Sequence, residues 1–260
     1  MNIAWITHHL PDDQPLGEGW IPGPYRGGAE MSDAEYLAHT PEGCQVQVFD
    51  STLFNPDQIA EFDRIVVTGT DLLSESAMRW LATKRPMVFV HHQQTQSEAR
   101  LDLLESARPF VCHTPAHLAL EQRWCNLTDT RLVLSALNMS GITYGEKKPV
   151  AFSAARNHPL KGLNQARLWA AKHNLECVIA TDWPREHVLA MMAQAEWFVH
   201  LPLAFESECR AVMEAVLSGC TVVANDMVGI TSCPNWRDPA WLMQEIGNAG
   251  RLFWEAVCES

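Results

Sequence analysis

No C-x-x-C pair occurs among the eight cysteines of this 260-residue chain, which stand at Cys44, Cys112, Cys125, Cys177, Cys209, Cys220, Cys233 and Cys258. That spacing gives neither the usual zinc framework nor a disulfide ladder, and several of these thiols lie in apolar runs where a reduced cysteine packs as a small hydrophobe. No segment approaches the roughly 20 apolar residues that span a bilayer. No charged n-region with an apolar h-region opens the chain: Met1 to Thr7 is a short strand-like run followed by His8 and His9. The expectation is a cytoplasmic protein, neither secreted nor inserted in a membrane. An amphipathic basic helix for docking on a lipid surface is lacking too. Basic residues are few, 19 against 31 acidic ones, for a formal net charge of −12. This argues against broad attraction to nucleic acid or anionic lipid but leaves room for a local basic groove. Fixed short repeats and low-complexity stretches are absent as well.

What is present describes a soluble globular chain, 47% hydrophobic and 19% charged. Its length allows one large domain or two of about 100–150 residues. The run NIAWIT (2–7) is nearly continuous in apolar residues, as a strand buried on both faces of a parallel sheet should be. A loop rich in Pro and Gly leads through Gly27-Gly28 into a helix beginning near Ala29. Paired glycines there let backbone N–H groups approach a phosphate closely, and the helix dipole favours the negative charge.

Strands and helices then alternate. Strands are expected at 45–49, 64–69, 87–90 (ending in His91-His92), 110–113 and 131–135, with helices at 74–83, 97–107 and 115–124 between them. The polar stretch NMSGITYGEKK (138–148) reads as an inter-domain connection. A second series follows: a strand at 150–153, the loop AARNHPLKG, a helix at 163–173, a strand at 176–180 and a helix at 185–195. Next come a strand at 197–201, a helix from near Ser207 to Gly219, a strand at 221–224, and a last helix at about 240–257. Such β-α alternation implies largely parallel sheets with helices on both faces. The expected domains are 1–142, 143–235 and a C-terminal helical segment, 236–260, returning to the first. In an open α/β sheet ligands bind at the carboxyl ends of the strands, and two such halves create a cleft between them. Glu206 stands at such a strand-end loop and Glu214 follows eight positions later on the next helix.

On these residues the chain resembles the retaining GT-B glycosyltransferases of the group whose two glutamates are separated by seven residues. FESECRAVMEA is similar to that acidic motif, with Glu206 and Glu214 as its carboxylates. RNHPLKG looks like the family's second anchor, an arginine followed five residues on by Lys-Gly: Arg156, Lys161 and Gly162. GGAE (27–30) is similar to its N-terminal glycine loop, and AQAEWFVHLP to its usual approach to the acidic motif. The resemblance touches both halves in the right order, in a compact, phage-like form.

The implied fold is α/β of the GT-B type, two Rossmann-like domains with parallel sheets facing across a cleft. The implied reaction moves a sugar from a nucleotide-sugar donor, most simply a UDP-sugar, to a hydroxyl acceptor. Cleaving the donor leaves a diphosphate whose growing charge needs fixed cations and N–H dipoles. Arg156 can grip phosphate oxygens bidentately and Lys161 supplies a compact point charge, with Gly27 and Gly28 supporting the diphosphate from the other domain. By resemblance Glu214 binds the ribose hydroxyls and Glu206 faces the donor sugar. His91 or His92 contacts that sugar from the end of the fourth strand. The family's chemistry is a front-face displacement without protein nucleophile, bound metal or cofactor, and no clear D-x-D is present.

The chain departs from the pattern at Ser207, Glu208 and Cys209, which line the expected donor pocket where the family carries E-G-F-G. The acceptor follows least directly from the residues. One reading is a hydroxymethylated pyrimidine in DNA. The alternatives are a glycan or small molecule, or a nucleotide-sugar epimerase, a phosphorylase or a non-catalytic nucleotide-sugar-binding protein.

Overall fold

The apolar run at the start forms strand β1 (Asn2–Thr7), buried from Ile3 onward. Trp5 and Ile3 face one side of the sheet and Ala4 and Ile6 the other, each side covered by a separate apolar cluster. The computed structural model describes residues 1–7, 28–59, 61–91 and 97–259. Two units emerge, Met1–Ala136 with Asn248–Ser260, and Leu137–Gly247.

In the first unit β1 is followed by α1 (Gly28–Ala38), β2 (Gln45–Asp50), β3 (Arg64–Val67), α2 (Glu75–Lys84) and β4 (Met87–Phe89). After these come α3 (Glu98–Ser106), β5 (Phe110–Cys112), α4 (Pro115–Glu121) and β6 (Thr130–Leu132). The six strands lie in the order β2-β1-β3-β4-β5-β6 and every pairing is parallel. Side-chain oxygens of Ser74, Ser97 and Thr114 accept from the amides of Ala77, Arg100 and His117 and so start α2, α3 and α4.

The second unit contains β7 (Lys148–Ala154), α5 (Leu163–Lys172), β8 (Glu176–Ala180), α6 (Arg185–Gln194), β9 (Ala195–His200), α7 (Arg210–Leu217) and β10 (Thr221–Ala224). Its four strands run in the order β10-β9-β7-β8, again all parallel. Both units are thus Rossmann-like, with crossover helices between parallel strands.

The final helix, α8 (Pro239–Cys258), contributes its last turns to the core of the first unit. Phe253 is fully buried and stacks on Tyr36 with ring centroids 4.2 Å apart. Nε1 of Trp254 donates to the Tyr36 carbonyl at 2.7 Å. Phe253→Ala should therefore cost about 3–5 kcal/mol of stability, read as a lowered urea midpoint. A wild-type midpoint would show that this helix end adds little to the unit.

Candidate active site

The second unit gathers its polar side chains at the carboxyl ends of its strands, where an open parallel sheet leaves its binding face. Beyond β7 the chain passes Arg156 and closes a short 3₁₀ turn, Pro159–Lys161, before Gly162 turns it into α5. Gly162 has φ 74°, and a Cβ there would lie 2.0 Å from the carbonyl oxygen of Leu201. Only glycine lets the lysine loop sit so close to the end of β9. From that loop Lys161 Nζ donates to Glu206 Oε1 at 3.1 Å. Arg156 is exposed and forms no ion pair among the described residues.

Glu206 is fixed through its backbone on both sides. Its N–H donates to Met227 O at 2.8 Å and its carbonyl accepts from Gly229 N at 2.7 Å. These bonds belong to an isolated parallel bridge with Val228. The loop after β9 is thereby stitched to the loop after β10, and α7 begins only at Arg210 rather than near Ser207.

His200, the last residue of β9, is 2% exposed, and its Nε2 lies 3.1 Å from Glu206 Oε2. Burial disfavours charge on both groups. It is outweighed on His200, pushed up to about 10 by Cys209 and Glu206, and on Glu206, held down at about 2 by His200 and Lys161. The carboxylate therefore stands between two cations, one buried and one half-exposed.

Ser207 and Glu208 are buried. Glu208 makes itself felt at Cys233, whose thiol is pushed up to about 11 by burial first and then by Glu208 and Glu245. Cys209 caps α7 with φ 76°, a left-handed conformation that side chains other than glycine adopt at a cost.

Glu214 lies on α7, 7% exposed, and is gripped by a residue the sequence pattern did not single out. Arg185, at the start of α6, donates from Nε to Glu214 Oε1 at 3.0 Å. Its Nη1 and Nη2 donate to the carbonyls of Ser140 and Asn138 at 3.1 and 2.7 Å. Arg185 thus fixes both the carboxylate and the polar segment that precedes β7. Arg185→Ala should lower stability by about 1–2 kcal/mol, since hydrogen bonds to charged groups are lost at a partly solvated site. Urea unfolding reads the loss; a wild-type midpoint would show that Glu214 keeps its place unaided.

In the first unit His91 is buried after β4. Its Nε2 bonds Asp33 Oδ1 at 2.7 Å and its Nδ1 lies 3.3 Å from Nε2 of His113. Asp33 Oδ2 accepts from Thr7 and Thr68 at 2.9 and 2.8 Å, so the carboxylate ties together the ends of three neighbouring strands. His91 is held within this network with both ring nitrogens engaged. Asp33 and His113 escape a sequence reading because each is an isolated polar residue. The recurrence of Thr7, Thr68, His91 and His113 just at or beyond strand ends was the available signal. Gly28 opens α1, whereas Gly27 and His92 fall outside the described residues.

No protein-family profile matches the chain, and no curated protein sequence does. Solved structures do. Anabaena HepE in complex with UDP is 13% identical, with all of both chains covered and a TM-score of 0.66. A sucrose-phosphate synthase from Thermosynechococcus elongatus is 17% identical over 98% of this chain and 96% of its own, TM-score 0.62. An alpha-glucosyltransferase in complex with UDP and a 13-mer DNA containing an HMU base is 10% identical over 100% and 93%, TM-score 0.50. Two parallel Rossmann-like units with these neighbours define the fold as α/β of the GT-B type. Among the described residues no helix is long and apolar enough to cross a membrane.

Proposed function

We propose that the chain is a retaining glycosyltransferase that moves a sugar from a UDP-sugar to a hydroxyl acceptor in the cytoplasm, without a bound metal or cofactor. The observation that carries this reading is the Lys161–Glu206 pair at 3.1 Å, presented at the carboxyl end of the second unit's sheet. A fold shared with UDP-bound proteins supports it further.

In this mechanism Arg156 and Lys161 neutralise the leaving diphosphate, where fixed cations act most strongly because they need not reorganise as charge develops. Glu214, oriented by Arg185, takes the ribose hydroxyls. Glu206 orients the donor sugar, beside Ser207, Glu208 and Cys209. The departing phosphate takes the acceptor's proton on the face that the acceptor attacks, so the anomeric configuration is retained.

For the acceptor we favour a 5-hydroxymethylpyrimidine in DNA, the reading supported by the glucosyltransferase bound to HMU-containing DNA. A duplex target of this kind has to leave the base stack before its hydroxymethyl group can reach a donor. With a net charge of −12, binding should rest on a local groove and weaken steeply with salt.

The test is a matrix of nucleotide sugars against hydroxymethylated DNA, glycans and small alcohols, read by nucleotide release and by the configuration of the product. Release only with an acceptor, and a retained configuration, supports the proposal. A sugar altered without acceptor points to an epimerase, and binding without turnover to a non-catalytic role; either sinks it. Transfer to a glycan alone keeps the enzyme and removes the DNA acceptor.

A further inference from the structure

His200, Glu206 and Cys209 form a cluster of nitrogen, oxygen and sulfur donors that the proposed transfer reaction, which calls on Glu206 alone for the sugar, does not use as a set. One ligand atom from each, an imidazole nitrogen, a carboxylate oxygen and Sγ, lie within 4.8 Å of one another. We infer that these three residues form a binding site for a divalent transition metal of the zinc class.

Three observations carry the inference. An N, O, S donor set suits zinc among the common divalent ions, since calcium and magnesium take oxygen ligands. Both ring nitrogens of His200 are buried and neither has a hydrogen-bond partner of good geometry, although Nε2 stands 3.1 Å from Glu206 Oε2. A buried imidazole without such bonds is costly, and a metal would satisfy one nitrogen outright. Finally, Cys209 holds a left-handed backbone, φ 76°, which costs a side chain about 1–2 kcal/mol where glycine would cost nothing. That strain aims a thiol at the histidine and carboxylate, and strained residues of this kind cluster at functional sites.

Charge balance is favourable as well. On binding, the metal displaces the protons of His200 and Cys209 to solvent. The resulting neutral imidazole, carboxylate and thiolate bring two negative charges, which a divalent ion cancels in a poorly hydrated place. Lys161 can keep Glu206 Oε1 while the ion takes Oε2. Three protein ligands leave one tetrahedral position open. Occupancy would draw Glu206 away from a donor sugar, so zinc should compete with the nucleotide sugar. That consequence rests on the proposed function, but the site itself does not.

The test therefore reads metal binding rather than transfer. Reduced, metal-free protein is titrated with Co²⁺ and then Zn²⁺, following the tetrahedral d–d bands and the thiolate-to-cobalt charge-transfer band. One equivalent of Co²⁺ should develop both sets of bands, and Zn²⁺ should erase them. Cys209→Gly, which relieves the positive φ and so preserves the fold, should abolish the charge-transfer band. Glu206→Gln should weaken Zn²⁺ binding by about tenfold or more. Cys233→Ser, a thiol outside the cluster, should leave the bands intact. Absence of a charge-transfer band in the wild-type protein, or its persistence in Cys209→Gly, overturns the site whatever the transfer assay shows.

Discussion

Arg156→Ala and Lys161→Ala should each reduce kcat for acceptor-dependent nucleotide release by about 10²–10³-fold, the loss seen when one preorganised donor to a developing anion is removed. In the proposed mechanism the two residues reach that role differently. Arg156 is solvent-exposed and without an ion pair among the described residues, so its guanidinium is available to a diphosphate with little competition to overcome. Lys161 is already paired with Glu206. Removing it should disturb the carboxylate as well, and the Lys161→Ala loss should include a rise in donor KM that Arg156→Ala shows less. Arginine at 161 keeps the charge but not its compact shape, so Lys161→Arg should recover only part of the rate. Steady-state kinetics with the best donor–acceptor pair decides the matter. Full activity in both alanine variants would remove the diphosphate from these residues.

Gly162→Ala should destabilise the second unit by about 2–5 kcal/mol. Left-handed backbone contributes about 1–2 kcal/mol for any residue with a Cβ, and forced overpacking typically adds 1–3 kcal/mol. The overpacking is against backbone that cannot swing away, with Leu201 O at 2.0 Å, Leu201 C at 2.4 Å and Pro202 N at 2.9 Å from the added carbon. Relief has to come from moving the loop that carries Lys161, so turnover should fall with stability even at temperatures where the variant is folded. Urea unfolding beside activity at low temperature tests both parts. A wild-type midpoint would mean that the loop's contact with the end of β9 is not needed for stability.

Much of the fold was legible because its elements obey simple periodicities. NIAWIT, RIVV and ECVIA are short apolar runs bounded by polar residues, and they form β1, β3 and β8. The helix expected at about 240–257 forms over Pro239–Cys258, because its apolar residues recur at helical spacing over many turns. Boundaries were less legible where long-range pairing decides them. The helix expected from near Ser207 starts at Arg210, since residue 206 is committed to backbone bonds with the loop after β10. β6 is confined to Thr130–Leu132, shorter and earlier than the expected 131–135. Val133 N still bonds the Cys112 carbonyl, but the chain beyond it leaves the sheet, with Leu134 and Ser135 used instead as partners for Tyr36 and Ser32.

For the candidate site, spacing could nominate Glu206, Glu214, Arg156 and Lys161, because a loop, a helix and a strand end carry them in a recognisable order. It could not find Arg185, 29 residues from Glu214 in sequence, or the pairing of Lys161 with Glu206 across 45. Nor could it say that His91 spends both ring nitrogens on Asp33 and His113, or that Cys209 stands with His200 and Glu206. By itself the sequence determined the alternation of strands and helices, the parallel sheets that follow from it, and the glycine and charged residues at strand ends. Those are local properties, set by hydrophobic period and backbone preference within a few residues. Tertiary structure alone decided which charges meet, which are buried and which stay open to a ligand. Pairing across a sheet depends on register and on loop stitching, and these bring together residues that no local window contains.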